Sequence, residues 1–364
     1  MRLHKGLLSV LLASFLVVSG CGSNGQGTPD TSGGQGGNGG EQTLVVVNWK
    51  DYGSDDPEMI KAFEESCSCK VVHEYMASEE ELLTRLKTGG VGKLDVILPN
   101  ASILPVAIQE GLLEPIDVDK LENYQYINKT FKNIPENEKD GQVYAVPWVW
   151  GSTSIAYNSN VIKDEIDSIN VLWDEKYKGQ IAFRDDFNDA VMIAAIAANQ
   201  DPNNPSDMEA VKQKLLEQKP LNRTYWKTGD EFSKLFANNQ ISIGVAWSGN
   251  TAAMKQAGQP IKYVIPKEGA IGWVDNWAIV KDSPHKDLAM KFIDFMIGKD
   301  FQTKWVNKGG PAPVNTQVVD NLDPAFVQEM GLDEEAISKL FFISYHTEDE
   351  KKAWNELWHE VKAQ

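Results

Sequence analysis

Cysteine is nearly missing from this chain: 364 residues contain three, at positions 21, 67 and 69. So few thiols exclude a disulfide-stapled scaffold, and with neither CxxC spacing nor a third ligand nearby they exclude a zinc site. Cys67 and Cys69 are separated by one residue, which allows only a tight ring, so they read as a local disulfide or as two idle thiols rather than a redox pair. Histidine is scarce as well. Besides His4, His73, His285, His346 and His359 are scattered without metal-ligand spacing, and no strong nucleophile motif is present. Gly89-Gly90-Val91-Gly92-Lys93 has the glycines and lysine of a phosphate loop, but Leu94 stands where Ser or Thr should meet magnesium, leaving a tight turn. No catalytic residue, cofactor or metal ligand is therefore assigned. Positive charge is also in deficit: 35 Lys and Arg against 52 Asp and Glu give a net charge of −17, which argues against nucleic acid and against a basic membrane-surface module.

The apolar run from Gly6 to Val18 follows Arg2, His4 and Lys5, is too short to span a bilayer, and has the layout of a secretory signal. It ends in Val18-Ser19-Gly20-Cys21, which resembles the bacterial lipobox, in which the cysteine is diacylated and becomes the mature N-terminus. From Gly22 to Gly40 the chain is nearly all Gly, Ser, Asn, Gln, Thr, Pro and Asp, the composition of a flexible tether. Residues 1–20 are thus expected to be a signal peptide, and 21–41 a lipidated cysteine with its linker.

Without residues 1–20, the remaining 344 residues exceed what one compact core usually holds, so two lobes are expected. The opening alternates. A strand over Leu44–Asn48 precedes a helix started by Pro57, a strand over 70–75, a helix over 79–87, a strand over 94–98 and a helix over 103–110. Such a βαβαβ start implies a parallel sheet with its ligand edge at the C-terminal ends of the strands. The apolar segment 143–157 reads as the first crossing to a second lobe, Trp273–Val280 as the return, and 311–315 as a third crossing. The lobes are accordingly 42–146 with 275–312, and 147–274 with 313–364. A C-terminal helix with Ala353, Trp354, Leu357, Trp358 and Val361 on one stripe closes the chain.

What the sequence does supply is aromatic rings beside acids at strand ends: Trp49-Lys50-Asp51-Tyr52, Asp186 with Asp189, Trp247, and Trp273-Val274-Asp275. A ring face attracts an ammonium by roughly 0.5 to 2 kcal/mol. A carboxylate about 4 Å away adds on the order of 4 kcal/mol at an effective dielectric near 20. The pattern suits an organic cation. Singly, each piece also has an ordinary explanation, Trp49 or Trp247 as core and Asp186 with Asp189 as a helix cap and first-turn acid. Trp148, Trp150, Trp277, Trp305, Trp354 and Trp358 need no ligand and are assigned to packing.

Taken in order, NWKDYG after the first strand, LKTGGVGKLDVILP, GQVYAVPWVWG, LWDEKYKGQIAFRDD, GVAWSGN and PKEGAIGWVDNWAIV resemble the spermidine/putrescine-binding proteins of bacterial ABC importers across nearly the whole chain after its leader. The resemblance implies an α/β periplasmic-binding-protein fold of type II, with two lobes that close over a polyamine and no catalysis. It also implies ABC permease subunits as partners, a monomer, and a location at the cell membrane on the extracytoplasmic face, anchored by lipid on Cys21. Trp49 and Tyr52 correspond to an aromatic wall, Asp186 and Asp189 to the acids that receive one amine, Trp247 and Trp273 to aromatic clamps, and Asp275 to the carboxylate holding the other amine. Asp51 stands where the family has a glutamate, and Ser102 where a further aromatic occurs. Asp189 replaces a longer glutamate, Gly310 occupies a tyrosine position, Lys50 adds a positive charge beside the site, and Tyr345 or His346 is the C-terminal polar contact. The alternatives are a receptor for another cationic amine, an extracellular hydrolase using paired carboxylates, and a surface adhesin.

Overall fold

The computed structural model describes residues 42–364; the expected signal peptide, linker and lipidated Cys21 lie outside them. The first strand, β1 (Gln42–Asn48), pairs in parallel with β2 (Cys69–Tyr75) and with the short β3 (Val96–Ile97), as the βαβαβ opening requires. Between them run α1 (Pro57–Cys67) and α2 (Glu79–Arg85). Asp56 caps α1 through the backbone N–H groups of Glu58 and Met59, Pro57 occupies its first turn, and Met59, Ile60 and Phe63 are buried along one face. Cys67 and Cys69 form a disulfide across the turn from α1 into β2. The α-helix after Ser78 is shorter than its periodicity suggests: at Leu86–Gly90 it loosens into a π turn, where Gly89 takes φ +130. Gly92 follows at φ +73, so the glycine run that imitates a phosphate loop is a turn.

The chain crosses on β4 (Ala145–Asn158), buried along its entire length. A second parallel set follows, β5 (Ile181–Arg184), β6 (Asn222–Trp226) and β7 (Ile243–Trp247), with β8 (Ile261–Val264) antiparallel to β4. The return strand is β9 (Ala270–Val280). Strands lie in the order β2-β1-β3-β9-β4-β7-β5-β6, so the antiparallel pair β4 and β9 joins two parallel sets into a continuous sheet. The expected boundaries at 146/147 and 274/275 therefore fall inside strands. Pairing of β4 with β9 slips at Asp275/Asn276, where Asp275 faces Val149 and Asn276 faces Pro147. Trp148 is left as the extra residue of a bulge, next to a proline that has no N–H to give the ladder.

Helices cover both sets. On the second, α3 (Phe187–Ala197) is buried on nearly all sides and packs against the final helix, α4 (Glu348–Ala363). That helix opens with a capping box between Thr347 and Glu350, and buries Trp354, Trp358 and Val361 of the stripe read from the sequence, while Leu357 is half-buried and Ala353 exposed. Each such buried side chain contributes roughly 1.5 to 3 kcal/mol. The strand β6 and a helix over Ser248–Gln256 directly after Trp247 were not anticipated, because β6 carries Asn, Arg and Thr and lacks strict alternation. No helix among the described residues is long and apolar enough to cross a membrane.

Candidate functional site

The turn after β1 sets the first wall. Asn48, fully buried, donates to the Tyr52 carbonyl at 3.3 Å and to Ser54 Oγ at 2.8 Å. With Asp51 at φ +58 and Gly53 at φ +86, the turn is compact. It places the Tyr52 ring edge-on to Trp148 and Trp305, at 5.6 and 6.0 Å between centroids. The Tyr52 hydroxyl then donates to Asp275 Oδ2 at 2.8 Å. Burial, followed by the charge of Asp275, raises the phenol well above its ordinary pKa, so it stays protonated and is the donor.

Asp275 sits at the slip between β4 and β9 and is 8% exposed. Burial pushes its carboxyl up to about 6, against the pull of the Tyr52 hydrogen bond. Asn100, after β3, forms a β-bridge with Asp275, and its N–H donates to Glu79 Oε2 at 3.3 Å. Glu79, the first residue of α2, is 7% exposed and its Oε1 has no hydrogen-bond partner among the described residues. Burial, and then the nearby charge of Asp275, raise its carboxyl well above the usual range; the Asn100 N–H and Lys351 pull the other way. Asn100 thus links the Asp275 backbone to the Glu79 carboxylate, and a buried cation is what would allow both acids to ionise.

Trp273, two residues before Asp275, lies against Gly151 of β4: a Cβ there would stand 2.2 Å from its Cζ2. The bare glycine makes room for the indole, which is half-buried, with Nε1 unpaired among the described residues. Trp49 is half-buried and packs against the core. Gly310, at the expected tyrosine position, is the seat of Trp305, whose ring would meet an added Cβ at 2.4 Å. Trp305 therefore packs, as its spacing suggested, but it also supplies aromatic surface beside Tyr52.

At the end of the second parallel set, Asp186 caps α3 by accepting from the Asp189 N–H at 3.1 Å. Asp189 is buried and bound to Arg184 Nη1 at 2.8 Å, while Arg184 Nη2 lies 3.5 Å from Asp186. The same guanidinium lies over the Trp247 ring, 4.8 Å from its centroid, and Trp247 stands edge-on to Trp226 at 5.0 Å. Burial raises the Asp189 carboxyl and Arg184 opposes it, with Asp186 adding to the rise. The acids expected to receive an amine already hold a cation belonging to the chain.

The remaining predicted residues lie at the margins. Asp51 is exposed, and its N–H is taken by Asp55. Ser102 donates to Asn100 Oδ1 at 2.6 Å, and its carbonyl accepts from Lys351 Nζ at 3.2 Å. His346 is buried against Trp354 and bonded to the Asn203 carbonyl, a structural arrangement, whereas Tyr345 lies beside Lys351. A cavity of about 490 Å³ elsewhere, bounded in part by Phe131, Trp150, Val327 and Leu332, includes none of the predicted residues.

Residues 58–332 match the family described as bacterial extracellular solute-binding protein. The chain belongs to that family. Among relatives of this solute-binding protein, the spermidine/putrescine-binding periplasmic protein of Salmonella typhimurium is 28% identical over 302 residues, covering 82% of this chain and 85% of the relative. The putrescine/agmatine-binding protein of Pseudomonas aeruginosa is 29% identical over 277 residues, 70% and 74% of the two chains. The structure of the spermidine/putrescine ABC transporter substrate-binding protein PotD from Streptococcus pneumoniae superposes with a TM-score of 0.79 at 25% identity, covering 89% of this chain and 99% of that one. The fold is accordingly the two-lobed α/β fold, hinged and with its ligand cleft between the lobes.

Glu79, Arg184 and Lys351 were not anticipated in this solute-binding protein. Glu79 is hidden in Ser78-Glu79-Glu80-Glu81, which reads as a solvated helix start. Arg184 had a usable signal: a basic residue at the last position of a strand on the ligand edge, two and five residues before the acids it binds.

Proposed function

We propose that this protein is the extracytoplasmic receptor of an ABC importer, capturing a polyamine by cleft closure and delivering it to the membrane permease. The observation that carries the reading is Asp275, a buried carboxylate oriented by the Tyr52 hydroxyl, adjoining Glu79 through Asn100 and two residues from Trp273. The relatives' ligands support it: spermidine and putrescine for one, putrescine and agmatine for another. In this reading the lobes are 42–146 with 275–312 and 147–274 with 313–364, the receptor works as a monomer without catalysis, and Cys21 carries the lipid that holds it at the membrane. A hydrolase would need acids on opposite sides of a bond, whereas Asp186 and Asp189 share one helix turn and one guanidinium.

Titration calorimetry with putrescine, spermidine and their acylated or guanidino derivatives tests the reading. Saturable heat at one site per chain with at least one of them is expected. Absence of heat with all of them, together with binding of a sugar or an anion, would overturn it.

A further inference from the structure

Resting on that amine-receptor reading, we infer that Arg184 fills the second amine position. The ligand is then an amine with one cationic head, held between Asp275 and Glu79, and an uncharged, hydrogen-bond-accepting far end, the class of a mono-N-acylated diamine. Arg184 and Trp247 end neighbouring strands, for β5 and β7 pair in parallel. The guanidinium consequently reaches a face of the indole, at 4.8 Å, and both acids of α3 at once. A ligand ammonium brought there would find the buried acid already paired and a like charge a few ångströms away. What this end still offers is donors: Arg184 Nε is buried and gives its hydrogen to no group among the described residues, and Nη2 makes only the long contact to Asp186. A carbonyl or hydroxyl has a use for those donors and an ammonium has none. The residual negative charge is on Asp186, which is partly exposed and accepts from the first turn of α3.

At the other end the balance is reversed. Asp275 and Glu79 are both more than nine-tenths buried, the Asn100 backbone bridges to the Asp275 backbone and donates to the Glu79 carboxylate, and Glu79 Oε1 is an acceptor without a donor among the described residues. Lys351, reaching the Ser102 carbonyl, is a nearby cation that offsets part of the Glu79 charge. One ligand ammonium completes the neutralisation. The distribution of charge therefore selects for a cation at one end only, and discrimination comes as much from the repulsive guanidinium as from the attractive acids.

The test is a comparison of putrescine, spermidine and N-acetylputrescine by titration calorimetry on the full-length protein, on Arg184→Thr and on Arg184→Lys. N-acetylputrescine is expected to bind the wild-type protein about tenfold or more tightly than putrescine; Arg184→Thr should reverse the order and Arg184→Lys should keep it. Putrescine or spermidine binding the wild type more tightly than the acetylated amine, or an order unmoved by Arg184→Thr, overturns the inference while leaving the receptor reading intact. Binding of none of the three by the wild type overturns the inference, and the receptor reading falls with it if the guanidino derivatives also give no heat and a sugar or an anion binds. Should Arg184→Thr fail to fold because Asp189 is left unpaired, the wild-type order alone decides.

Discussion

Replacing Asp275 by Asn should make the empty protein more stable and the receptor nearly useless. The carboxylate is buried with one strong donor, Tyr52, and its pKa is raised to about 6. The rise from an ordinary 3.8 corresponds to about 3 kcal/mol of folding free energy lost to keeping that charge inside. An asparagine is nearly isosteric, still accepts from the Tyr52 hydroxyl through Oδ1, and carries no charge to desolvate. Because folding raises this pKa, the folded protein holds the proton more tightly than the unfolded chain. The penalty is thus complete above about pH 7, shrinks as the pH falls through about 6, and is almost gone near pH 4. Urea denaturation of the ligand-free proteins should show Asp275→Asn ahead by about 2 to 3 kcal/mol near pH 7.5, with the lead fading as the pH is lowered. Affinity should move the opposite way. Losing a charge about 4 Å from a ligand ammonium costs on the order of 4 kcal/mol, close to a thousandfold in Kd. A stability lead independent of pH, or no lead at all, would show that the carboxylate is better solvated or better paired than its surroundings indicate. Unchanged affinity would remove Asp275 from the binding site.

Three further substitutions follow from the same geometry. Gly151→Ala places a methyl 2.2 Å from the Trp273 ring, so the indole must leave its seat; a shifted tryptophan emission and about tenfold weaker ligand binding are expected in calorimetry. Asp51→Asn, at an exposed residue, should change affinity by no more than about twofold at fixed salt, and a large loss would place Asp51 inside the closed cleft. Cys21→Ser should move the protein from the membrane to the soluble fraction of fractionated cells with ligand affinity unchanged, since two acyl chains at about 0.8 kcal/mol per buried CH₂ are the proposed anchor; continued membrane retention would point to another attachment.

The alternating architecture was legible because it is written in periodicity. Leu44–Asn48 and Lys70–Tyr75 are too short and too β-branched to be helices, and the helical stripe at Met59, Ile60 and Phe63 lies between them. The joining of two parallel sets by one antiparallel pair was only partly legible, because the slip that leaves Trp148 unpaired depends on Pro147 meeting Asn276, a contact far apart in sequence. Among site groups, rings and acids could be proposed from their places at strand ends. Their charge balance could not. Whether Asp189 is available depends on which way Arg184 turns, and whether Glu79 is solvated depends on how α2 packs over Asn100. Both are tertiary facts with no local periodicity to announce them.

The slip at Asp275 has a mechanical meaning. Under the proposed cleft closure, β4 and β9, the strands that join the two parallel sets, take the bending, and their pairing is interrupted at the residue that carries the buried charge. A fulcrum and a sensor thus share one backbone position. Under that closure, neutralising the charge acts at the pivot, where a small change in strand spacing would be multiplied along each lobe into a larger displacement at the rim. The surface offered to a permease would then report the electrostatic state of one carboxylate, whatever the rest of the bound molecule looks like.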